Sequence, residues 1–134
     1  MKKIWFLLVL FGLTACGGAP VTRKDVSRAS FGAKPTDTEA MAKIRQYLAR
    51  VLIDPDSLRL SCTKVTGKAW ARDNMFRPPI FGYLVICDVN AKNKLGGYTG
   101  AKEHIFLFNG AQFEAMDLSQ YGAKRGEDYD IIER

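Results

Sequence analysis

The chain has 134 residues, with 20 Lys and Arg against 14 Asp and Glu, which gives a formal net charge of +6. Its length fits one domain and leaves little room for two, and 47% hydrophobic with 25% charged residues excludes a disordered chain. The sequence pI is about 9.3, but the basic residues are scattered and form no binding motif, so nucleic acid is excluded as a partner.

Residues 1–16 have the features of a bacterial export signal. Lys2 and Lys3 supply a positive start, and the apolar run 4–13 is too short to cross a bilayer as a helix. The run ends in Leu13-Thr14-Ala15-Cys16. This ending resembles the lipobox of bacterial lipoproteins, in which a Leu and two small residues precede an invariant Cys. The alternative is an ordinary cleaved signal peptide beside an incidental Cys.

The lipobox resemblance implies a lipid anchor on Cys16. In that family the Cys thiol is diacylated, the signal is cut before the Cys, and the new amine is acylated. We therefore expect residues 1–15 to be a signal peptide, which leaves 18 Lys and Arg against 14 Asp and Glu, a net charge of +4. Several acyl chains make membrane attachment effectively permanent. Gly17 stands where inner-membrane lipoproteins tend to have Asp, so the resemblance implies the outer membrane, facing the periplasm.

Residues 16–35 are predicted to be the lipidated Cys followed by a flexible tether. Gly17-Gly18-Ala19-Pro20 opens this segment, and Thr22 to Ser30 is polar and basic without a sustained apolar period. Pro35 ends it. The folded domain is expected over residues 36–116.

The firmest secondary-structure prediction is a helix that begins after Thr36. Thr36-Asp37-Thr38-Glu39 fits a capping box, and Asp54-Pro55 ends the helix because the residue before a proline disfavours the α conformation. Apolar residues then recur every three or four positions and indicate one buried helical face. They are Met41, Ile44, Tyr47, Leu48, Val51 and Leu52.

Four strands are predicted after the turn Asp54-Pro55-Asp56-Ser57. The alternation of Leu58, Leu60 and Cys62 with polar residues indicates a half-buried strand, and the apolar run 80–89 indicates a central one. Strands over 104–108 and 111–116 are joined by an Asn109-Gly110 hairpin turn.

The remaining segments are predicted without strands. The pattern predicts a long loop over residues 67–79 and a loosely packed charged tail over residues 117–134. A short helix within this tail is the alternative. The expected fold is α+β, with one N-terminal helix packed on an antiparallel meander of about four strands.

Besides the anchor, the chain has Cys62 and Cys87, which fall on strands that can pair. An even pair in an exported protein favours a disulfide bond, with two buried free thiols as the alternative. The sequence has no CxxC motif, and His104 is its only histidine. We therefore expect neither a metal site nor a cofactor.

A second resemblance concerns three short stretches. Asp54-Pro55-Asp56-Ser57, the Asn-Ala-Lys-Asn of 90–93 and the Gly-Gly-Tyr-Thr-Gly of 96–100 resemble a motif of small bacterial proteins, many of envelope type. The likeness spans roughly residues 36–110 and implies a fold without a biochemical activity. The glycines of loop 91–100 favour a turn. An anion site with Lys92 and Lys94 is the alternative, although a phosphate-loop spacing is absent.

Aromatic and basic residues of the two predicted loops are the candidate binding site, because aromatics with arginine typically anchor interfaces. The candidates are Trp70, Arg72, Phe76, Arg77, Lys92, Asn93, Lys94 and Tyr98. We expect them to form one exposed patch, although Trp70 and Phe76 would alternatively cover the sheet.

The leading hypothesis is a non-enzymatic envelope lipoprotein that binds a protein partner or a cell-wall component, with its oligomeric state open. One alternative is an inhibitor of a cell-wall hydrolase such as lysozyme, against which the +4 charge counts because lysozyme is basic. The other is a small envelope enzyme of unknown reaction. It would require a pocket that places His104 beside an acidic or hydroxyl partner.

Overall fold

The computed structural model describes residues 19–74, 76–117 and 125–133. Over these residues the chain is α+β, with a six-stranded antiparallel sheet. The helices are α1 (Arg23–Arg28) and α2 (Asp37–Val51), and a 3-10 turn covers Pro55–Ser57. The strands are β1 (Arg59–Cys62), β2 (Lys68–Ala71), β3 (Ile80–Asn90), β4 (Lys102–Asn109), β5 (Gln112–Asp117) and β6 (Tyr129–Ile131).

The long central strand β3 organises the sheet, whose order is β5-β4-β3-β2-β6. One edge of β3 pairs with β4 along most of its length. The other edge pairs with β2 over residues 80–83 and with β1 over residues 87–90. The α+β class is confirmed. The sheet has six strands rather than the expected four, and a short second helix precedes α2.

Helix α2 begins at the capping box that the sequence predicts. The Thr36 hydroxyl accepts a hydrogen bond from the Glu39 N–H, and the Glu39 carboxylate accepts one from the Thr36 N–H, at 3.2 and 2.8 Å. Ala40, Ile44 and Leu48 form the buried stripe of the helix. They pack on one face of the sheet, against a cluster that includes Val85, Cys87, Val89, Phe106 and Phe108.

Cys62 and Cys87 are direct cross-strand partners on β1 and β3 and form a disulfide bond, with their Cα atoms 4.1 Å apart. The predicted bond is therefore present in the fold. It joins the short edge strand β1 to the centre of the sheet beneath α2.

The prediction of a flexible tether is wrong for residues 19–35. Helix α1 has its own capping box at Thr22, and Phe31 packs edge-on against Phe81 with ring centroids 5.7 Å apart. The Asn109 side chain donates a hydrogen bond to the Ser30 carbonyl at 2.8 Å. The sequence shows no apolar period here because α1 buries none of its residues, and long-range contacts hold the segment instead.

Two further predictions are corrected by strands that the sequence pattern does not reveal. Part of the predicted loop 67–79 is β2, which pairs with both β3 and β6. Part of the predicted tail is β6, which pairs with β2, and Asp128, Ile132 and Glu133 form further backbone hydrogen bonds with Arg72 and Lys68, so this part of the tail is not loose. Residues 1–18, 75, 118–124 and 134 lie outside the described residues, and they include the predicted signal and the anchor Cys16.

Candidate binding cleft

A cleft of about 290 Å³ lies where the C-terminal end of α2 meets the ends of β3, β4 and β5. Its lining combines apolar, basic and acidic side chains. They include Val51, Ile53, Lys92, Lys102, His104 and Asp117.

Strand register brings the polar residues of the cleft together. His104 on β4 lies opposite Asp117 on β5 and Cys87 on β3, and Lys102 lies opposite Val89. Because side chains alternate along a strand, Lys102, His104 and Asp117 point to the same face as the core residues beneath α2. The helix ends at Val51, so it leaves this corner of the sheet uncovered.

His104 contacts an acceptor through each of its ring nitrogens. Nδ1 lies 3.1 Å from the Lys102 carbonyl oxygen, which can only accept, so Nδ1 carries the proton. Nε2 lies 3.8 Å from a carboxylate oxygen of Asp117. The ring also stacks on Phe106 at 6.2 Å between centroids, which fixes its orientation.

The apolar wall of the cleft is unusually exposed. Val51 is 52% exposed and Ile53 is 62% exposed, although both are large aliphatic side chains. Lys92 and Lys102 line the same cleft, so apolar surface and positive charge lie side by side. This combination fits a ligand that has apolar groups next to a negative charge.

The glycine-rich loop 91–100 forms a wall of this corner through contacts with the Pro55–Ser57 turn. The Tyr98 hydroxyl donates to the Ser57 carbonyl, and the Lys92 N–H donates to the Ser57 hydroxyl, both at 2.8 Å. The Arg59 guanidinium stacks on the Tyr98 ring at 4.1 Å. The Pro55–Ser57 turn and loop 91–100 are thus structural partners of one another.

Loop 91–100 is a turn whose own backbone uses the groups that an anion would need. The Asn93 carboxamide oxygen accepts from the N–H groups of Leu95 and Gly97, and the Asn93 carbonyl accepts from Gly96. Gly96 has a φ of 78°, which favours glycine. These contacts favour the turn interpretation over the anion site. Lys94, the other lysine of the predicted anion site, is exposed in the same loop.

The predicted aromatic and basic patch does not exist as one surface. Phe76 and Arg77 precede β3, whereas the loop of Tyr98 follows it, and the ten residue steps from Ile80 to Asn90 correspond to about 33 Å of strand. Trp70 is buried and Phe76 is 82% exposed. The prediction that these aromatics share a patch is therefore wrong.

Arg72 is a structural residue of the interior rather than a surface anchor. Its guanidinium donates to the Ala19 carbonyl at 3.1 Å and to the Glu127 carbonyl, and it lies 5.6 Å from the Trp70 ring. The backbone N–H of Arg72 donates to the Asp128 carbonyl. Arg72 therefore connects the N-terminal segment, β2 and the C-terminal segment.

The sequence prediction misses Asp117, Val51 and Ile53 as members of a site. The sequence signal that could have identified Asp117 is the turn of the β4–β5 hairpin, because the turn position decides which residue lies opposite His104. An Asn109-Gly110 turn would pair His104 with Ala115, but the residues between the paired positions are Gly110 and Ala111, which places Asp117 opposite His104. Gly110 has a φ of 56° and Ala111 does not have a positive φ, the pattern of a type II′ turn with Gly first.

Comparison of the chain with protein-family models, with curated proteins and with solved structures gives no match. Neither helix among the described residues combines the length and the apolar composition that a membrane span requires. The same residues contain no group of three or more His, Cys, Asp or Glu side chains arranged to hold a metal ion.

Proposed function

We propose that this chain is a non-enzymatic lipoprotein of the bacterial envelope, held through lipid on Cys16 to the periplasmic side of the outer membrane. Its domain is a binding module, and the cleft at the end of α2 binds a peptide that presents apolar side chains beside a carboxylate. The lipobox resemblance supports the anchor, and the composition of the cleft supports the ligand class.

The observation that carries the binding function is the exposure of Val51 and Ile53 beside two lysines. Covering the exposed parts of these side chains would contribute about 2–3 kcal/mol of binding free energy. Lys92 and Lys102 would attract a carboxylate and orient the ligand. A partner protein and the peptides of the cell wall both supply such groups, so the experiment has to distinguish these two sources.

Photo-crosslinking in the producing bacterium tests this function. A photoreactive amino acid replaces Ile53 in the cleft, and in a matched control it replaces Ile132, which is also exposed but follows β6 at the opposite edge of the sheet. We expect an adduct from position 53 that is weakened by Lys102→Glu. A discrete protein band would indicate a partner protein, whereas a ladder removed by muramidase would indicate the cell wall.

No adduct at position 53, or the same adducts from both positions, would contradict the cleft as the binding site. An adduct to a cell-wall hydrolase would favour the inhibitor function. The matched position matters because any exposed residue of an anchored protein meets abundant neighbours.

A catalytic role is the second candidate, since the cleft places His104 beside an acidic partner. The arrangement supports it less well. General-base catalysis needs a ring nitrogen directed at a nucleophile, but Nδ1 donates to the backbone and Nε2 faces Asp117. Neither nitrogen has a hydroxyl or thiol partner among the residues that the structure describes. A hydrolytic activity of the purified protein that is lost in His104→Ala would favour the enzyme instead.

A further inference from the structure

The point at which the chain leaves the domain toward Cys16 is fixed. The Ala19 carbonyl accepts a hydrogen bond from the buried Arg72 guanidinium at 3.1 Å. Three residue steps separate Ala19 from Cys16, and even a fully extended chain spans about 10 Å over them. A lipid on Cys16 therefore brings this end of the domain to the surface of the bilayer, whatever path the intervening residues take.

The surface around this point combines an exposed aromatic ring with basic residues. We call it the anchor face, defined by α1 and the segment 76–79. Within this segment, Phe76 is 82% exposed. The two parts are adjacent, because Val21 and Arg28 line one apolar groove of about 420 Å³ together with Pro78 and Pro79.

Positive charge exceeds negative charge on the anchor face. The exposed basic residues are Arg23, Lys24, Arg28 and Arg77, and the exposed acidic residues within or beside it are Asp25 and Asp73. Arginine binds phosphate oxygens through paired hydrogen bonds, and aromatic side chains insert at the boundary between headgroups and acyl chains. The face therefore complements an anionic lipid surface in both charge and apolar character.

We propose that the anchor face rests on anionic phospholipid headgroups, with Phe76 inserted at the boundary of the acyl chains. This inference rests on the proposed lipidation of Cys16. The domain is then docked on the membrane in one orientation instead of moving freely at the end of a tether. The cleft at the other end of β3, about 33 Å along that strand, faces away from the membrane and toward the cell wall.

Depth-dependent quenching of tryptophan fluorescence tests this orientation. The lipidated protein is reconstituted in vesicles of phosphatidylethanolamine and phosphatidylglycerol, with and without brominated acyl chains. Phe76→Trp reports on the anchor face, and Leu95→Trp is the matched control, because Leu95 is 93% exposed in the loop beyond the other end of β3. The emission of the parent protein, which comes from the buried Trp70, is subtracted.

We expect brominated lipid to reduce the emission of Phe76→Trp by roughly half and that of Leu95→Trp hardly at all, because interfacial side chains sit about 5–10 Å deep. Arg77→Glu added to Phe76→Trp should weaken the quenching. Equal quenching of the two tryptophans, or quenching of Leu95→Trp alone, would overturn the proposed orientation while leaving the anchor intact.

Mass spectrometry of the same preparation distinguishes the two proposals. Acyl groups on Cys16 together with no quenching of Phe76→Trp would refute the docked orientation only. A mature chain without acyl groups on Cys16 would refute the lipoprotein function, and the docked orientation with it.

Discussion

Removing the Cys62–Cys87 disulfide should destabilise the domain strongly, because the unfolded chain then has a higher conformational entropy. The bond joins residues that are 25 positions apart. In the chain-entropy description, closing a loop of that size stabilises a fold by about 3.5 kcal/mol at room temperature. For a domain of this size that free energy corresponds to a fall of roughly 10–15 °C in Tm.

The measurement is urea unfolding and thermal denaturation of the oxidised protein, the reduced protein and the Cys62→Ala/Cys87→Ala variant. We expect reduction and the double substitution to lower the free energy of unfolding by similar amounts. The double variant should be insensitive to reductant, which makes it the control for side effects of the reducing agent. An oxidised protein no more stable than the reduced one would refute the loop-closure reasoning, since closing the loop is what the bond contributes.

Three further changes test separate parts of the fold. Thr36 holds the pKa of Glu39 below its ordinary value of 4.5 through backbone and hydroxyl hydrogen bonds, so Glu39 stabilises the fold above that value and loses the effect as the pH falls through the lowered pKa. In urea unfolding, Glu39→Gln should therefore have a lower free energy of unfolding than the parent protein at neutral pH, and this difference should shrink in acid. A difference that does not change with pH would contradict the role of Glu39 in the cap. Phe31→Ala should cost about 1–2 kcal/mol and speed amide hydrogen exchange in α1, while unchanged exchange would mean that its contact with Phe81 does not hold the segment. Gly82→Ala should cost about 3 kcal/mol or more, because its Cβ would lie 2.2 Å from a carbonyl oxygen of β4. Gly97→Ala is the matched control with no atom near its Cβ, and equal stability of the two variants would refute the close approach.

The elements that the sequence predicts well are those whose signals are local. Helix α2 is specified by a capping box within four residues and by one apolar stripe, so Thr36 and Ile44 identify it without any tertiary information. Strand β3 is identified by a nearly continuous apolar run that is rich in β-branched and aromatic residues and follows two prolines. The disulfide then follows because the two cysteines lie on the same face of two strands that pair.

The elements that the sequence does not predict depend on partners far along the chain. Strand β2 has only four residues, Lys68–Ala71, and lies between glycine and charged residues. It becomes a strand because β3 and β6 hydrogen-bond to its two edges. The N-terminal segment is held by Arg72 and Asn109, whose hydrogen bonds to Ala19 and Ser30 span 53 and 79 positions. No periodicity within residues 19–35 can report such contacts.

The candidate site depends on the position of the turn between β4 and β5. With Asn109-Gly110 as the turn, the pairing would shift by two residues, so that Ala115 would lie opposite His104 and Asp117 opposite Lys102. The observed turn at Gly110-Ala111 sets Asp117 beside His104 under the end of α2. The choice between these turns is not local, since the Asn109 side chain is already engaged by the carbonyls of Ser30 and Phe81. The packed N-terminal segment, which the sequence presents as a tether, therefore contributes to the register on which the cleft depends.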